Sequence, residues 1–152
     1  MKASRSVYLS GPITGVSRTA ASNWRKFVID RLAQGIVAVD PMRDAVDDRV
    51  ISEARLDDAA RLQHLLHGKE ILERNRADIA RCDLLLANFL EAERVSIGSV
   101  GEIFWADGLR KHVIVVREQH GNPHDHGMIN AIAFATYVSL NAAIGKINVL
   151  LG

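Results

Sequence analysis

The stretch "LLLANF" (residues 84–89) is a short, almost entirely apolar run. Such runs are typical of a strand that is buried on both faces of a parallel sheet, so we expect the centre of the sheet here. The preceding "KEILERNRADIARCD" (69–83) carries apolar residues at helical spacing. After a loop, "VGEIFWADGLR" (100–110) predicts a second helix and "HVIVV" (112–116) a second buried strand.

The same alternation extends towards the N-terminus. "SVYLSGP" (6–12) predicts a strand that Gly11 and Pro12 end, and "ASNWRKFVIDRLAQG" (21–35) predicts a helix. "IVAVDP" (36–41) predicts a further strand. The polar stretch from about 44 to 68 has only weak helical periodicity, and we interpret it as a variable, mobile excursion.

Towards the C-terminus, "MINAIAFA" (128–135) predicts a helix and "TYVSL" (136–140) a possible strand, before a terminal segment at 141–152. Strands that alternate with helices favour an α/β fold: a single-domain doubly wound parallel sheet with right-handed crossovers, in a flavodoxin-like or Rossmann-like three-layer sandwich.

Composition limits the classes of function. The chain has 152 residues and a formal net charge of +1, so we expect one domain over 1–152 and no binding to a nucleic-acid polymer. The single Cys82 excludes an internal disulfide, and no apolar run is long enough to span a bilayer. With no signal-peptide pattern, we expect a cytoplasmic protein that binds small molecules.

Four loops follow the predicted strands: "SGPITG", "DPMRD", "NFLEAERVSIGSVGE" and "REQHGNPHDHG". Ligands of open α/β sheets collect at the carboxyl ends of the strands, so these loops are expected to line one cleft. The first loop lacks the Lys-Ser/Thr end of a phosphate-binding P-loop, which disfavours NTP hydrolysis. A plain turn at the end of a strand explains that loop equally well.

Glu102 stands at the expected start of a helix, after a turn of small residues. Burial in a cleft would raise its pKa and the helix N-terminus would lower it, and we expect the second effect to favour an ionised carboxylate. Such a carboxylate is suited to attack the anomeric carbon of a sugar and form a covalent glycosyl-enzyme. The simpler alternative is a glutamate that only complements the helix dipole.

Other polar residues are weaker candidates for metal binding or catalysis. A zinc site is one alternative for the loop that carries His120, His124, Asp125 and His126. Solvated loop histidines, or one histidine that contacts a ligand, are the more typical interpretation of such a loop. Asp78 and Asp83 are a possible catalytic pair, although an aspartate just before a buried strand often stabilises a turn.

Two residue types favour packing over chemistry. Cys82 is best interpreted as a small buried hydrophobic residue. Trp24 and Trp105 lie on apolar helix faces, which favours core packing for both.

Taken together, "YLSGPITG", "DPMR", "DIARCDLLLANF", "ERVSIGSVGEIFWA" and "KHVIVV" resemble, in order and spacing, the nucleoside 2-deoxyribosyltransferase family. This family includes the related deoxynucleoside 5'-monophosphate N-glycosidases. The resemblance implies a flavodoxin-like sheet, no cofactor or metal, and a homo-oligomer whose subunits complete each other's sites. It also implies a glutamate nucleophile, which Glu102 matches.

The resemblance assigns further residues to the site. Those that match its substrate-binding positions are Tyr8, Ser10, Gly11, Pro12, Ile13, Asp40, Met42, Arg43, Ser96, Gly98, Ser99, His126 and Met128. Ser96 stands where transferases of free nucleosides carry an aspartate and the monophosphate N-glycosidases a serine. His126 matches a position that reaches from the neighbouring subunit towards the 5' end of the ligand. A hydroxyl or an imidazole tolerates phosphate better than a carboxylate does.

Asn75 departs from the family pattern, which has an aspartate near the base and the nucleophile. An amide cannot exchange a proton, so acid help to the leaving base must come from elsewhere, with Asp78 or a water as candidates.

Three hypotheses follow. The first is transfer of a deoxyribosyl group from a 2'-deoxynucleoside or its 5'-monophosphate to another nucleobase. The second is the same cleavage completed by water, which makes an N-glycosidase. The third is a non-catalytic nucleotide-binding module, which Asn75 keeps open.

Overall fold

The computed structural model describes residues 4–43 and 68–152. Its strands are β1 (Arg5–Ser10), β2 (Ile36–Val39), β3 (Leu84–Asn88), β4 (His112–Val116) and β5 (Ala135–Tyr137). Its helices are α1 (Arg18–Ile29), α2 (Gly68–Arg81), α3 (Ile97–Gly108), α4 (Gly127–Ile132) and α5 (Leu140–Leu151). The predicted excursion at 44–68 lies, except for Gly68, outside the described residues. No helix in the two described ranges is long and apolar enough to cross a membrane.

The strands form one sheet in the order β2-β1-β3-β4-β5, and every pairing is parallel. This order is that of a flavodoxin-like doubly wound sheet, so the predicted fold class is confirmed. β3 is the central strand and all five of its residues are buried, as its apolar sequence predicts.

Alternation along the strands builds two cores. Leu85 and Ala87 of β3 pack with residues of α2, α3 and α4 on one face of the sheet. Leu84 and Leu86 pack with residues of α1 and α5 on the other face. The sheet is therefore the middle of three layers, and Tyr8 of β1 lies on the α2–α3 side.

Helix ends differ from the predicted bounds in ways that capping explains. The first helix, expected at 21–35, occupies Arg18–Ile29 because the Ser17 hydroxyl accepts a hydrogen bond from Ala20 N at 3.1 Å. The second strand, expected to reach 41, ends at Val39. Pro41 has no N–H to continue the ladder.

The C-terminal elements are also shifted. The helix expected at 128–135 ends at Ile132, since β5 begins to pair with β4 at Ala135 rather than at 136. Ser139 then caps α5 by accepting from Ala142 N, so the segment after residue 140 is helical.

Trp24 packs against the core between the sheet and helices α1 and α5, as predicted. The same prediction is wrong for Trp105. Trp105 is 39% exposed, with the Arg76 guanidinium 4.7 Å from the centre of its ring. The buried stripe of α3 runs through Ser99, Ile103 and Ala106, and Trp105 lies to one side of it.

Candidate active site

The candidate site lies at the carboxyl ends of β1 and β3. In this strand order the chain leaves β1 towards β2 on one side and reaches β3 on the other, and such a switch point opens a crevice beyond the strand ends. β1 ends at Ser10 and β3 ends at Asn88. Helix α3 follows β3 and carries Glu102, so two neighbouring strands and a helix converge here.

Glu102 is surrounded by polar side chains from β1 and α2. Tyr8 and Ser10 share one face of β1 because their positions differ by two, and both hydroxyls are near enough to the Glu102 carboxylate to lower its pKa. Asn75 Nδ2 donates a hydrogen bond to Glu102 Oε1 at 3.3 Å. Within the described residues, the Tyr8 and Ser10 hydroxyls and Asn75 Oδ1 are buried without a hydrogen-bond partner. Unpaired buried groups of this kind are costly, which is typical of a site built for a ligand.

The electrostatics of Glu102 differ from the expectation. α3 begins at Ile97, so Glu102 lies in its second turn and not at the N-terminus, where the helix dipole acts most strongly. Burial is the largest effect and raises the pKa of Glu102, although Ser10, Tyr8, Arg25 and Asn75 oppose it. The expected position of Glu102 at the helix N-terminus is therefore wrong, and burial, not the helix dipole, is the largest influence on its pKa.

Tyr8 is fully buried, and its pKa is raised well above the ordinary range, first by burial and then by the nearby Glu102 charge. The phenol is therefore neutral at any working pH. It can donate a hydrogen bond to a carboxylate but cannot act as a base.

Sequence reasoning missed Arg25. This side chain of α1 is fully buried and donates to the carbonyl oxygens of Leu9 (3.4 Å), Gly11 (3.1 Å) and Ala21. Its Nε lies 3.4 Å from Asp40 Oδ1. The buried residues of α1 are Ala21, Arg25 and Val28, and an arginine at helical spacing on an apolar face was the available signal.

Gly11 is required by packing. A Cβ at this position would lie 2.7 Å from Cζ2 of Trp24 and 3.0 Å from the Asn88 carbonyl oxygen. The next residues are more open: Pro12 is half-buried and Ile13 is 41% exposed. The loop after β1 is thus anchored at Gly11 and reaches solvent at Ile13.

The loop after β2 is held by arginines. Asp40 Oδ1 accepts from Met42 N at 2.8 Å, and Arg43 reaches across to Asp78. Asp78 is buried, with Oδ2 at 2.7 Å from Arg43 and Oδ1 at 2.7 Å from Arg81. Both of its oxygens are therefore engaged by guanidinium groups.

The N-terminus of α3 brings together two of the three serines predicted for the site. Ser96 is the N-cap residue, but its hydroxyl donates to Ser99 Oγ at 2.9 Å instead of capping the helix. Gly98, between them, is exposed. The N–H groups of a first helical turn have no partner within the helix, so this end can receive an anion or a hydroxyl.

The histidine loop is built around His124. Its ring is fully buried, stacks on Phe89 with centroids 3.7 Å apart, and accepts from Ser96 N at 2.9 Å through Nε2. Burial lowers the pKa of His124, so the ring is neutral and its Nδ1–H donates to Asn122 Oδ1. In the part of the chain that the structure describes, no group of three potential ligands could hold a metal ion.

His126 and Met128 lie at the start of α4. His126 Nδ1 accepts from Met128 N at 3.2 Å, and both side chains are exposed. No hydrogen bond within residues 4–43 and 68–152 joins either of them to the Glu102 cluster, which consists of Glu102, Tyr8, Ser10 and Asn75.

Asp83 and Cys82 have structural surroundings. Asp83 accepts from Ser6 N at 2.8 Å and pairs with Arg5 at 3.0 Å, which ties the starts of β1 and β3 together. Cys82 is buried, and burial raises the pKa of its thiol. The interpretation of Asp83 as a turn residue and of Cys82 as a packing residue fits these contacts.

The fold and the Glu102 cluster define an α/β protein with a carboxylate-centred site at a switch point. The chain belongs to the nucleoside 2-deoxyribosyltransferase family, whose sequence profile matches residues 7–132. The family predicted from the sequence is thereby confirmed, and the protein is an enzyme of the deoxyribosyltransferase kind. No curated protein matches the chain in sequence.

Several solved structures share the fold. A 2-deoxyribosyltransferase from Leishmania mexicana superimposes with a TM-score of 0.60 at 14% identity, over 95% of this chain and 97% of that one. A 2-deoxyribosyltransferase from Bacillus psychrosaccharolyticus gives 0.58 at 16%, over 91% and 90%. The CMP N-glycosidase of Clostridium botulinum gives 0.52 at 14%, over 95% and 99%. At such low identity these structures establish the fold alone.

Proposed function

We propose that this protein cleaves the N-glycosidic bond of 2'-deoxynucleosides or their 5'-monophosphates and transfers the deoxyribosyl group to another nucleobase. The observation that carries the proposal is the Glu102 carboxylate, enclosed by the Tyr8 and Ser10 hydroxyls at the switch point of the sheet. A carboxylate so held is a nucleophile for an anomeric carbon.

In the proposed reaction, a Glu102 oxygen bonds to C1' while the bond from C1' to the base nitrogen breaks. The electron pair of that bond leaves with the base, which takes up a proton. A nitrogen of the second base then attacks C1' and loses its proton to water, and the bond from C1' to Glu102 breaks to release the carboxylate. The hydroxyls of Tyr8 and Ser10 lie near the carboxylate and lower its pKa, and the neutral phenol of Tyr8 does not act as a base.

The proton that the leaving base needs has no evident protein donor among the described residues. Asn75 is an amide, and both oxygens of Asp78 face arginines. We therefore assign this proton to water and give Asp78 a structural part, holding the loop after β2 through Arg43.

A second candidate, hydrolysis of a deoxynucleoside 5'-monophosphate, is favoured by the α3 N-terminus. Ser96 carries a hydroxyl, not a carboxylate, beside N–H groups that can receive a phosphate. In this version water attacks the glycosyl-enzyme in place of the second base. We place His126 in a neighbouring subunit's site, as the family resemblance implies, with Met128 as a substrate-binding residue and a homo-oligomer as the working form.

The test is a chromatographic assay of each deoxynucleoside and each 5'-monophosphate, with and without a second free base. A new nucleoside or nucleotide that forms only with the added base establishes transfer, and base released equally without it establishes hydrolysis. Acid-quenched protein is expected to gain the mass of one deoxyribosyl group, and the Glu102→Gln variant is expected not to. No turnover across the panel, with nucleotide binding intact, would overturn the proposal in favour of a binding module.

A further inference from the structure

The buried guanidinium of Arg25 is an unusual feature for a helix that packs on an apolar core. A buried charge is expensive unless it is paired and its hydrogen bonds are satisfied. Arg25 meets this condition through three backbone carbonyl groups and Asp40. Its position is therefore determined by several independent contacts.

Two of those carbonyl groups flank the residue that faces Glu102. Arg25 Nε donates to Leu9 O and Nη2 to Gly11 O, which are the neighbours of Ser10. The guanidinium thus holds the end of β1 on both sides of the Ser10 hydroxyl. A lysine, with one nitrogen, could not hold two such carbonyls and Asp40 in a fixed fork.

The charge of Arg25 also acts on Glu102. The two groups interact electrostatically, and this interaction lowers the pKa of Glu102 against the opposing effect of burial. Burial lowers the pKa of Arg25 itself, but Asp40 and Glu102 counteract that shift.

Other charges near Glu102 come from each neighbouring element. Tyr8 on β1 is neutral, and Asp78 on α2 is engaged by Arg43 and Arg81. Asp40, after β2, pairs with Arg25 at 3.4 Å. Among these groups, Arg25 is the cation whose charge lowers the pKa of Glu102.

We propose that Arg25 is a positioning residue for Glu102: its hydrogen bonds to Leu9 O and Gly11 O fix the Ser10 segment against the carboxylate, and its buried guanidinium places a positive charge on that side of the site. This inference rests on the proposed role of Glu102 as the nucleophile. It adds a part for α1, a helix that neither the sequence analysis nor the proposed reaction uses.

The experiment is a direct titration of Glu102 by NMR in protein labelled with ¹³C at glutamate carboxyl groups. The Glu102 signal is the one that Glu102→Gln lacks. In Arg25→Gln the pKa of Glu102 is expected to rise by about one unit or more, the size of effect that a close opposite charge produces. In Arg25→Lys, which keeps the charge but loses the fork to Leu9 O and Gly11 O, the pKa is expected to rise less than in Arg25→Gln.

Arg31→Gln is the matched control, because it removes an equal charge from an exposed position just after the same helix. It is expected to leave the pKa of Glu102 unchanged. An unchanged Glu102 pKa in Arg25→Gln would overturn the proposal. A rise in Arg25→Lys as large as that in Arg25→Gln would also overturn it, since the charge of residue 25 would then contribute nothing to the pKa of Glu102.

Arg25→Gln leaves Asp40 without its partner and is liable to misfold. The comparison is then repeated in the Asp40→Asn background. The double variant Asp40→Asn/Arg25→Met lacks both charges of the buried pair. The pKa of Glu102 is expected to be higher in this double variant than in Asp40→Asn alone, and equal values would overturn the proposal. The titration requires no turnover, so an enzyme that fails the substrate assay would refute the proposed function without deciding the role of Arg25.

Discussion

The side-chain amide of Asn75, on α2, donates to the Glu102 carboxylate, on α3, across 3.3 Å. The contact joins two helices that pack side by side on one face of the sheet. It orients Glu102 without adding a charge, because an amide neither gains nor loses a proton at working pH.

Asn75→Asp is expected to convert this pair into two coupled carboxyl groups. Two carboxyl groups so close share one proton, so the pair acquires separated apparent pKa values. The introduced carboxyl group, when protonated, would then serve as the missing acid and increase kcat for poor leaving bases by at least about tenfold. The measurement is kcat against pH, with the exposed Asn141→Asp as control, and a profile identical to the parent's would contradict this account.

Tyr8→Phe is expected to lower kcat/KM by about tenfold, a loss of about 1.4 kcal/mol in transition-state stabilisation. The acid side of the pH profile should also move to higher pH, because Glu102 loses a neighbour that lowers its pKa. The unfolding midpoint should be unchanged or higher, since the lost hydroxyl is buried without a hydrogen-bond partner among the described residues.

Tyr137→Phe, at the half-buried end of β5, is the matched control for this change. Equal kinetic effects of the two substitutions would remove Tyr8 from the site.

Glu102→Gln is expected to reduce turnover by at least about 10³-fold and to change stability in a pH-dependent way. The pKa of Glu102 is raised on folding, so its protonated form favours the folded state. This stabilisation of the folded state is present below the unfolded-state pKa of about 4.3 and is lost as pH rises through the folded-state pKa. The variant should therefore unfold at a higher temperature than the parent at pH 8, and the difference should disappear near pH 4.

Thermal unfolding at both pH values checks this, with the exposed Glu93→Gln as control. A difference in midpoint that does not change with pH would argue against a raised pKa at Glu102.

Ser96→Asp is expected to reduce kcat/KM for 5'-monophosphates about a hundredfold and to affect free nucleosides little. The added carboxylate would repel a phosphate at the α3 N-terminus, whereas a sugar hydroxyl can donate to it. The neutral Ser96→Asn, which matches the aspartate in size, separates charge from size. Similar losses for both kinds of substrate would show that no phosphate binds here.

His124→Asn is expected to destabilise the protein by about 1–3 kcal/mol, because Ser96 N loses its buried acceptor. Folding lowers the pKa of His124. The neutral ring therefore stabilises the folded parent above the unfolded-state pKa of about 6.5, and this stabilisation is lost as pH falls through the folded-state pKa. The variant should lack this acid-side loss. Denaturant unfolding at pH 5 and pH 8 tests both points, with the exposed His120→Asn as control.

Local pattern was sufficient for the sheet. The apolar run at 84–89 predicts the central strand, and the alternation of strands and helices predicts a doubly wound order, because each depends on hydrophobic periodicity within one segment. Element ends were less accurate: Ser17 and Ser139 decide where α1 and α5 begin, through single hydrogen bonds that periodicity does not report.

Motif order and spacing are properties of the chain, so they were sufficient for the fold class and the family, and they indicate Glu102 as the carboxylate of the candidate site. The surroundings of Glu102, in contrast, follow from the tertiary structure. Arg25, Tyr8 and Asn75 come from α1, β1 and α2, and Asp78 is taken up by two arginines. Burial, pairing and pKa depend on contacts between residues that are distant in sequence, and these exist only once the sheet has brought its layers together.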